Sequence, residues 1–317
     1  MVNKKILLSG VKPTGRPHIG NYFGAMKQFV ALQNKYASYF MIADYHALNF
    51  IQNAEELREN TYGVLLDYLA IGIDPKRSII FRQSDVPVHT ELCWIFDTIT
   101  TMPYLMRAHA FKDAEAKNKE ISAGTFNYPM LMAADILLYD TDVVPVGQDQ
   151  KQHVEFARDT AEKFNRIFGE TFKLPEPRIL DNVAIVPGTD GRKMSKSYGN
   201  TIPLFATDEE IEKAVMSIVT DSSGEKPENV YAIHTLLRKR EDLDRLYAEK
   251  KGQYKELKEM LVKDLKKFIG PLRERRQAFE KDRKAVLEIL KTGGKVARER
   301  AEKKMEEVRE KVGLKLL

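Results

Sequence analysis

Cysteine is almost absent: Cys93 is the only one in 317 residues. A single thiol can neither close a disulfide nor assemble a cysteine-rich zinc or iron–sulfur site, so a reducing, cytoplasmic setting is expected. Long apolar runs are missing as well; none approaches the roughly 20 residues that span a bilayer. The stretch Ile6-Leu7-Leu8 after Lys4-Lys5 is too short for a secretory signal. No Gly-x-x-x-x-Gly-Lys-Ser/Thr phosphate loop occurs, and no set of carboxylates, histidines and cysteines has metal-site spacing. Internal repeats and low-complexity segments are also lacking. What is present is 43% hydrophobic and 31% charged, ample apolar material for a core and too much for disorder. The length suggests two domains.

The net charge is small, +5, but unevenly placed. Residues 1–205 hold 23 basic and 23 acidic side chains, so the whole surplus lies beyond them; 251–300 alone has 16 basic against 8 acidic. A basic third joined to a neutral body suits a polyanionic partner, although charge alone fits a solvated helical face as well.

The first two-thirds alternate strand-like and helix-like segments. A short apolar run at 5–8 breaks into the turn-rich Ser9-Gly10-Val11-Lys12-Pro13-Thr14-Gly15. Then come a helix from about 20 to 35, a buried strand at 39–43, a helix at 54–71, a strand at 78–81 and a helix from about 90. The stretch 101–140 reads as largely helical, interrupted at Ala123-Gly124, before a strand at 142–146 and a helix at 149–168. This alternation predicts an α/β fold with a parallel sheet covered on both faces and ligands beyond the strands' carboxyl ends. From 206 onward Glu, Lys, Arg and Leu recur at helical spacing without a strand-like run, predicting an all-helical second domain. Gly293-Gly294 reads as a break before a last helix at 295–312.

Two segments carry chemistry. Pro13-Thr14-Gly15-Arg16-Pro17-His18-Ile19-Gly20-Asn21 lies between the first strand and first helix. Glycines there let backbone approach a ligand, and a helix N-terminus offers N–H groups to an anion. His18 and Asn21 can face the same mouth; an ordinary capped turn is the other reading. Gly191-Arg192-Lys193-Met194-Ser195-Lys196-Ser197-Tyr198-Gly199-Asn200 combines lysines, hydroxyls and glycines in a loop able to wrap a polyphosphate, with incidental solvated lysines as the bland alternative.

Together these segments resemble the signatures of class I aminoacyl-tRNA synthetases. His18-Ile19-Gly20-Asn21 is similar to HIGH, and Lys193-Met194-Ser195-Lys196-Ser197 matches KMSKS letter for letter. The likeness is to the small synthetases that activate tryptophan or tyrosine and runs over most of residues 6–200. It implies a Rossmann-like catalytic domain at 1–205, with a helical insertion at about 101–140 and the cationic loop at 193–197. A helical anticodon-binding domain would follow at 206–294 and a C-terminal helix at 295–317. The implied ligands are ATP with Mg²⁺, the amino acid and its tRNA, and the implied assembly is a homodimer.

Tyr128-Pro129-Met130-Leu131-Met132-Ala133-Ala134-Asp135 resembles the pocket helix of both enzymes. Tyrosine-specific relatives commonly place Gln three residues before the Asp. Met132 stands there instead, as in the tryptophanyl branch, and a soft thioether suits an indole. The resemblance makes Asp135 the acceptor of the indole N–H of L-tryptophan, puts Tyr128 and Gln150 on its amino group, and lines the pocket with His46, Leu8 and Gly10. Pairing of Asp135 with a nearby base is the structural alternative.

On the nucleotide side the resemblance implicates Lys12, Pro13, Thr14, His18, Gly20, Asn21, Gly147, Gln148, Asp149, the backbone of Ile185 or Val186, and Lys193, Met194, Ser195, Lys196 and Ser197. Lys193, Lys196, Lys112 and His18 are the implied catalytic groups, and tRNA(Trp) the implied acceptor. Lys12 departs from the Gln of many bacterial tryptophan enzymes, adding a charge near the phosphates. Residues 189–192 and 198–202 look like a distinct bacterial branch, some members of which hold a cysteine-ligated iron–sulfur cluster in the C-terminal domain. Cys93 lies elsewhere, so no cluster is expected. A tyrosyl enzyme, a small nucleotidyltransferase and a silent tRNA-binding paralogue are the rival readings; the complete signatures weigh against the last two.

Overall fold

The computed structural model describes residues 4–116, 120–147, 151–179, 186–220 and 226–316. Its centre is a parallel sheet of β1 (Ile6–Val11), β2 (Ala37–Ile42), β3 (Ser78–Arg82), β4 (Val143–Val146) and β5 (Glu176–Ile179), ordered β3-β2-β1-β4-β5. Register pairs Leu8 with Tyr39 and Tyr39 with Ile79. The chain steps outward from β1 through β2 to β3, then returns to add β4 and β5 on the other side. That reversal opens a crevice beyond the carboxyl ends of β1 and β4, the usual ligand position on such sheets. β5, too short and polar to register as a strand in the sequence, is a partly exposed edge strand that tolerates Pro177.

After β1 the chain enters α1 (Ile19–Asn21), a π-helical segment Tyr22–Met26, and α2 (Lys27–Leu32). Six helices then follow in and around the sheet: α3 (Asp44–Ala47), α4 (Ala54–Ile71), α5 (Val88–Ile99), α6 (Met102–Leu105), α7 (His109–Ala116) and α8 (Ala123–Leu137). α9 (Lys151–Phe168) leads to β5, and α10 (Asp208–Met216), α11 (Glu228–His234), α12 (Arg240–Glu249), α13 (Tyr254–Glu280) and α14 (Arg283–Lys311) complete the chain. Local chemistry sets the ends. Asn53 caps α4 by accepting from the N–H groups of Glu55 and Glu56, and Gly72 stops it at φ 104°. Ser122 caps α8, so Ala123-Gly124 opens this helix rather than interrupting it. No helix among the described residues is long and apolar enough to cross a membrane.

Alternating strand side chains feed two cores. Leu7, Phe40, Ile42 and Ile80 pack on one face with Leu65, Tyr68 and Leu69 of α4 and Leu261, Leu265 and Ile269 of α13. Leu8, Tyr39, Met41 and Phe81 pack on the other with α5, α8, α9 and Ala297, Ala301, Met305 and Val308 of α14. Packing therefore crosses position 205 on both faces. Only Leu243, Tyr247 and Leu257 form a small separate cluster within the helical part.

The expected helix break at Gly293-Gly294 is not there: α14 runs through both residues. The glycines serve close approach instead, because a Cβ on Gly293 would lie 1.9 Å from the Ile80 carbonyl oxygen. Helix backbone thus rests directly on β3. Gly293→Ala is expected to lower the thermal midpoint, in line with the about 1–3 kcal/mol that overpacking costs. Gly63→Ala, whose methyl would sit 3.6 Å from Arg276 Nη2, is expected to stabilise α4 by roughly 0.5–1 kcal/mol. Equal midpoints for the two variants in scanning calorimetry would contradict the close-approach account.

Candidate active site

The polar network is built at the ends of β2 and β3 by residues that include those of α3, α5 and α8. Asp44 follows β2 and accepts from the backbone N–H of Ser84 at 2.9 Å and from its hydroxyl at 2.5 Å, tying the end of β2 to the end of β3. Burial raises the Asp44 carboxyl above its ordinary value, partly offset by these Ser84 bonds and by Arg82. Gln83, fully buried, accepts from the Tyr45 N–H at 3.1 Å and donates to Asp135 Oδ1 at 2.7 Å.

Asp135 is the centre of this region. It is 2% exposed on α8, yet three side chains reach it: His46 Nε2 at 2.9 Å from Oδ2, and Gln83 Nε2 and His89 Nδ1, at 2.6 Å, on Oδ1. Burial alone would raise its carboxyl, but His89 and His46 outweigh that and hold it down at about 2. Two of the expected pocket residues, His46 and Asp135, are therefore in direct contact. So are bases that the sequence reading treated as an alternative to ligand binding. Tyr128, one face along α8, bonds through its hydroxyl to His153 Nε2, stands edge-on to His46 at 6.2 Å, and is pushed up to about 12 by burial. Met132 is partly buried against the second core, Leu8 is buried, and Gly10 is exposed, where a Cβ would stand 3.2 Å from Met41 Cε.

The first signature forms a reciprocal cap. His18 Nδ1 accepts from the Asn21 N–H at 3.3 Å while Asn21 Oδ1 accepts from the His18 N–H at 3.0 Å. Gly20 is required because a Cβ there would lie 2.8 Å from His18 Nδ1. The cap leaves His18 Nε2 and the Asn21 amide nitrogen for a ligand. Burial, with Lys196 nearby, lowers His18 to about 4, so its ring is neutral at physiological pH.

The second signature is folded onto the first. Lys196 Nζ donates to the carbonyls of Thr14 at 3.0 Å and Gly15 at 2.8 Å. Backbone bonds Ile19 N–H to Ile202 O and Leu204 N–H to Pro17 O join the same two segments. Met194 is buried and its N–H bonds the Val186 carbonyl at 2.9 Å. Buried Asn200 organises the loop, accepting from the Ser195 N–H at 2.8 Å and donating to Asp190 and the Lys193 carbonyl. Ser195 and Ser197 share a hydroxyl bond at 2.9 Å. Lys193 is exposed, Pro13 is buried, and Lys12 places its ammonium 4.8 Å from the Phe50 ring.

The structure therefore brings His18, Gly20, Asn21, Thr14, Lys196, Met194 and Ser195 into one assembly, and His46, Tyr128 and Asp135 into another. Gly147 directly follows the carboxyl end of β4. Lys112 stands exposed on α7 and is not joined to either group among the described residues. Gln148, Asp149, Gln150 and Ile185 lie outside the described residues. The sequence reading missed Gln83, Asp44 and His89. The signals were available: Gln83 directly follows a strand, and His89 occupies a core position with Leu92 and Phe96 on an apolar helix face. No group of three or more His, Cys, Asp and Glu among the described residues could hold a metal ion.

Residues 3–286 match the family described as tRNA synthetases class I (W and Y). A Tryptophan--tRNA ligase of Fusobacterium nucleatum is 51% identical over 97% of both chains, and one of Rhodopirellula baltica is 45% identical over 98% of this chain and 99% of its own. A Campylobacter jejuni tryptophanyl-tRNA synthetase solved with ADP and tryptophan superposes with a TM-score of 0.91 at 42% identity, over 97% of this chain and 99% of that one. An Archaeoglobus fulgidus tyrosyl-tRNA synthetase shares the fold, with a TM-score of 0.66 at 21% identity over 86% of this chain and 90% of its own. Two signature loops bonded to one another beside a buried carboxylate pocket, on this sheet and with these relatives, place the chain in the class I tRNA synthetases for tryptophan and tyrosine.

Proposed function

We propose that this chain is a tryptophan–tRNA ligase: it activates L-tryptophan with ATP to tryptophanyl-adenylate and pyrophosphate, then transfers tryptophan to tRNA(Trp). The observation that carries the reading is Asp135, a buried anionic acceptor beside Met132 at the sheet's crevice. Indole has one polar handle, its N–H, and an acceptor with a thioether neighbour fits it. A pocket built to receive that donor disfavours phenylalanine, whose ring would leave the acceptor unpaired.

In the first step a carboxylate oxygen of tryptophan attacks the α-phosphorus of ATP, the bond to the β-phosphate oxygen breaks, and pyrophosphate leaves. The substrate supplies the nucleophile already ionised, so no protein base is needed. The protein's work is alignment and stabilisation of charge on the leaving group. Lys193 and Lys196 serve that end, with Lys112 as the third cation, and Lys196 exchanges the Thr14 and Gly15 carbonyls for phosphate oxygens. Neutral His18 offers Nε2–H and Asn21 its amide. Mg²⁺ arrives with ATP as part of the substrate. A ribose hydroxyl of the tRNA end then takes the acyl group and AMP leaves. The basic helical region faces the tRNA, and exposed Trp94 and Met102 supply apolar surface for a second copy in a homodimer. The setting is cytoplasmic, and the single cysteine supports no iron–sulfur cluster.

Amino-acid-dependent pyrophosphate exchange tests the assignment: tryptophan is expected to support exchange and tyrosine is not, and the reverse preference would overturn it. Lys196→Ala is expected to lower kcat for exchange by roughly 10²-fold, as removal of one preorganised donor does elsewhere; an effect confined to the tryptophan KM would contradict its phosphate role.

His18 gives a pH test. Its folded-state value, about 4, lies below the ordinary 6.5. The unfolded chain therefore binds more protons between these values, so the His18 contribution to stability is present above pH 6.5 and is lost as pH falls towards 4. In an NMR titration the His18 ring is expected to stay neutral down to pH 5; a midpoint near 6.5 would refute the buried, lysine-facing arrangement.

A further inference from the structure

His89 is fully buried, takes no part in the chemistry above, and sits on α5 among buried Val88, Leu92, Ile95 and Phe96. Its ring instead lies between Asp135 and Tyr139. Nδ1 is 2.6 Å from Asp135 Oδ1 and Nε2 is 2.8 Å from the Tyr139 hydroxyl. The Nδ1 contact is close but lacks hydrogen-bond alignment, whereas Nε2 and the Tyr139 hydroxyl share a hydrogen bond that fixes the ring. Burial raises the Tyr139 hydroxyl well above its usual value, which keeps it a hydroxyl.

The donor count gives this contact its meaning. An ionised carboxylate offers about four lone-pair sites. Among the described residues Gln83 takes one on Oδ1 and His46 one on Oδ2, while His89 Nδ1 stands 2.6 Å from Oδ1 without making a hydrogen bond. Acceptor capacity therefore remains on Oδ2, and the close His89 ring restricts how the carboxylate can turn. We propose that His89, backed by Tyr139, is a positioning residue for amino-acid specificity, its close contact holding Asp135 so that an open acceptor site on Oδ2 faces the substrate ring. The inference rests on the reading of Asp135 as the indole acceptor. Without His89 the space beside Oδ1 opens, the carboxylate can rotate, and the alignment with one N–H is lost.

The test uses full-length protein and compares tryptophan with β-(3-benzothienyl)alanine, which has sulfur in place of the N–H. In pyrophosphate exchange His89→Leu is expected to cut the kcat/KM ratio of tryptophan over this analogue by roughly tenfold, the scale of one hydrogen bond to a charged group. ATP KM should be unchanged. His89→Asn, which restores a donor near the Nδ1 position, is expected to recover most of the ratio. A parallel loss for both amino acids, unrelieved by His89→Asn, would mean a packing role and overturn the proposal. If His89→Leu does not fold, Tyr139→Phe decides: a several-fold fall in the ratio supports the proposal and an unchanged ratio overturns it. Asp135→Ala, which removes the acceptor, separates the two layers. If it leaves the ratio unchanged, the Asp135 reading fails and this inference with it; if it collapses the ratio while folded His89→Leu does not, only the role of His89 fails.

Discussion

A carboxylate that is 2% exposed remains ionised only where polar partners surround it, and Asp135 draws two hydrogen bonds and one close imidazole contact from three separate elements. His46 comes from α3 beyond β2, Gln83 from the end of β3, and His89 from α5. Satisfying one charge therefore fixes the mutual position of two strand ends and two helices around the crevice. The same contacts restrict how the carboxylate can turn, so stabilisation of the fold and orientation of Asp135 are one physical fact. Removing any of the donors loosens both.

The second constraint is the bonding of two loops far apart in sequence. Ile19 to Ile202, Leu204 to Pro17 and the short pairing of His18 with Pro203 weld the first loop to the chain just after the cationic loop. Arg16 adds an ion pair to Glu210 at the start of α10. Above this weld, Lys196 holds the Thr14 and Gly15 carbonyls. These bonds are made by neutral acceptors, weaker partners for an ammonium than phosphate oxygens would be. A polyphosphate entering here competes for Lys196 with favourable electrostatics, while the backbone bonds beneath it stay intact.

Much of this was legible beforehand because it rests on local rules. β1, β2 and β3 announced themselves as apolar runs between turn signals, and α4 as a helical pattern between Asn53 and Gly72. The two signatures stood out as strings. What escaped depends on approach between distant segments. Gly293-Gly294 looks like a helix breaker in isolation, but opposite the Ile80 carbonyl it is the only way for a helix to lie so close. Asp135 was expected to line a pocket, yet the three side chains that meet it lie 52, 46 and 89 positions away in sequence, and no periodicity links them. Glu176–Ile179 becomes a strand only because β4 is there to pair with it.

The surplus of positive charge in the last third also changes meaning once its partners are known. Arg273 is committed to Asp208 and the Ala206 carbonyl, and Arg276 to buried Asp67, which desolvation raises to about 6 despite that arginine. On α14, Arg298 binds the Asp85 carbonyl, Arg300 the Tyr139 carbonyl, Lys304 the Asp140 carboxylate at 2.9 Å, and Arg309 Glu91. Asp140 needs such anchoring, since its φ of 51° is left-handed and unfavourable for a residue with a side chain. These contacts fall on the two flanks of the Asp135 network, the β3–α5 turn and the Tyr139 corner. Cations that a charge count leaves for a polyanionic partner are thus partly committed inside the protein, bracing the Asp135 network from behind.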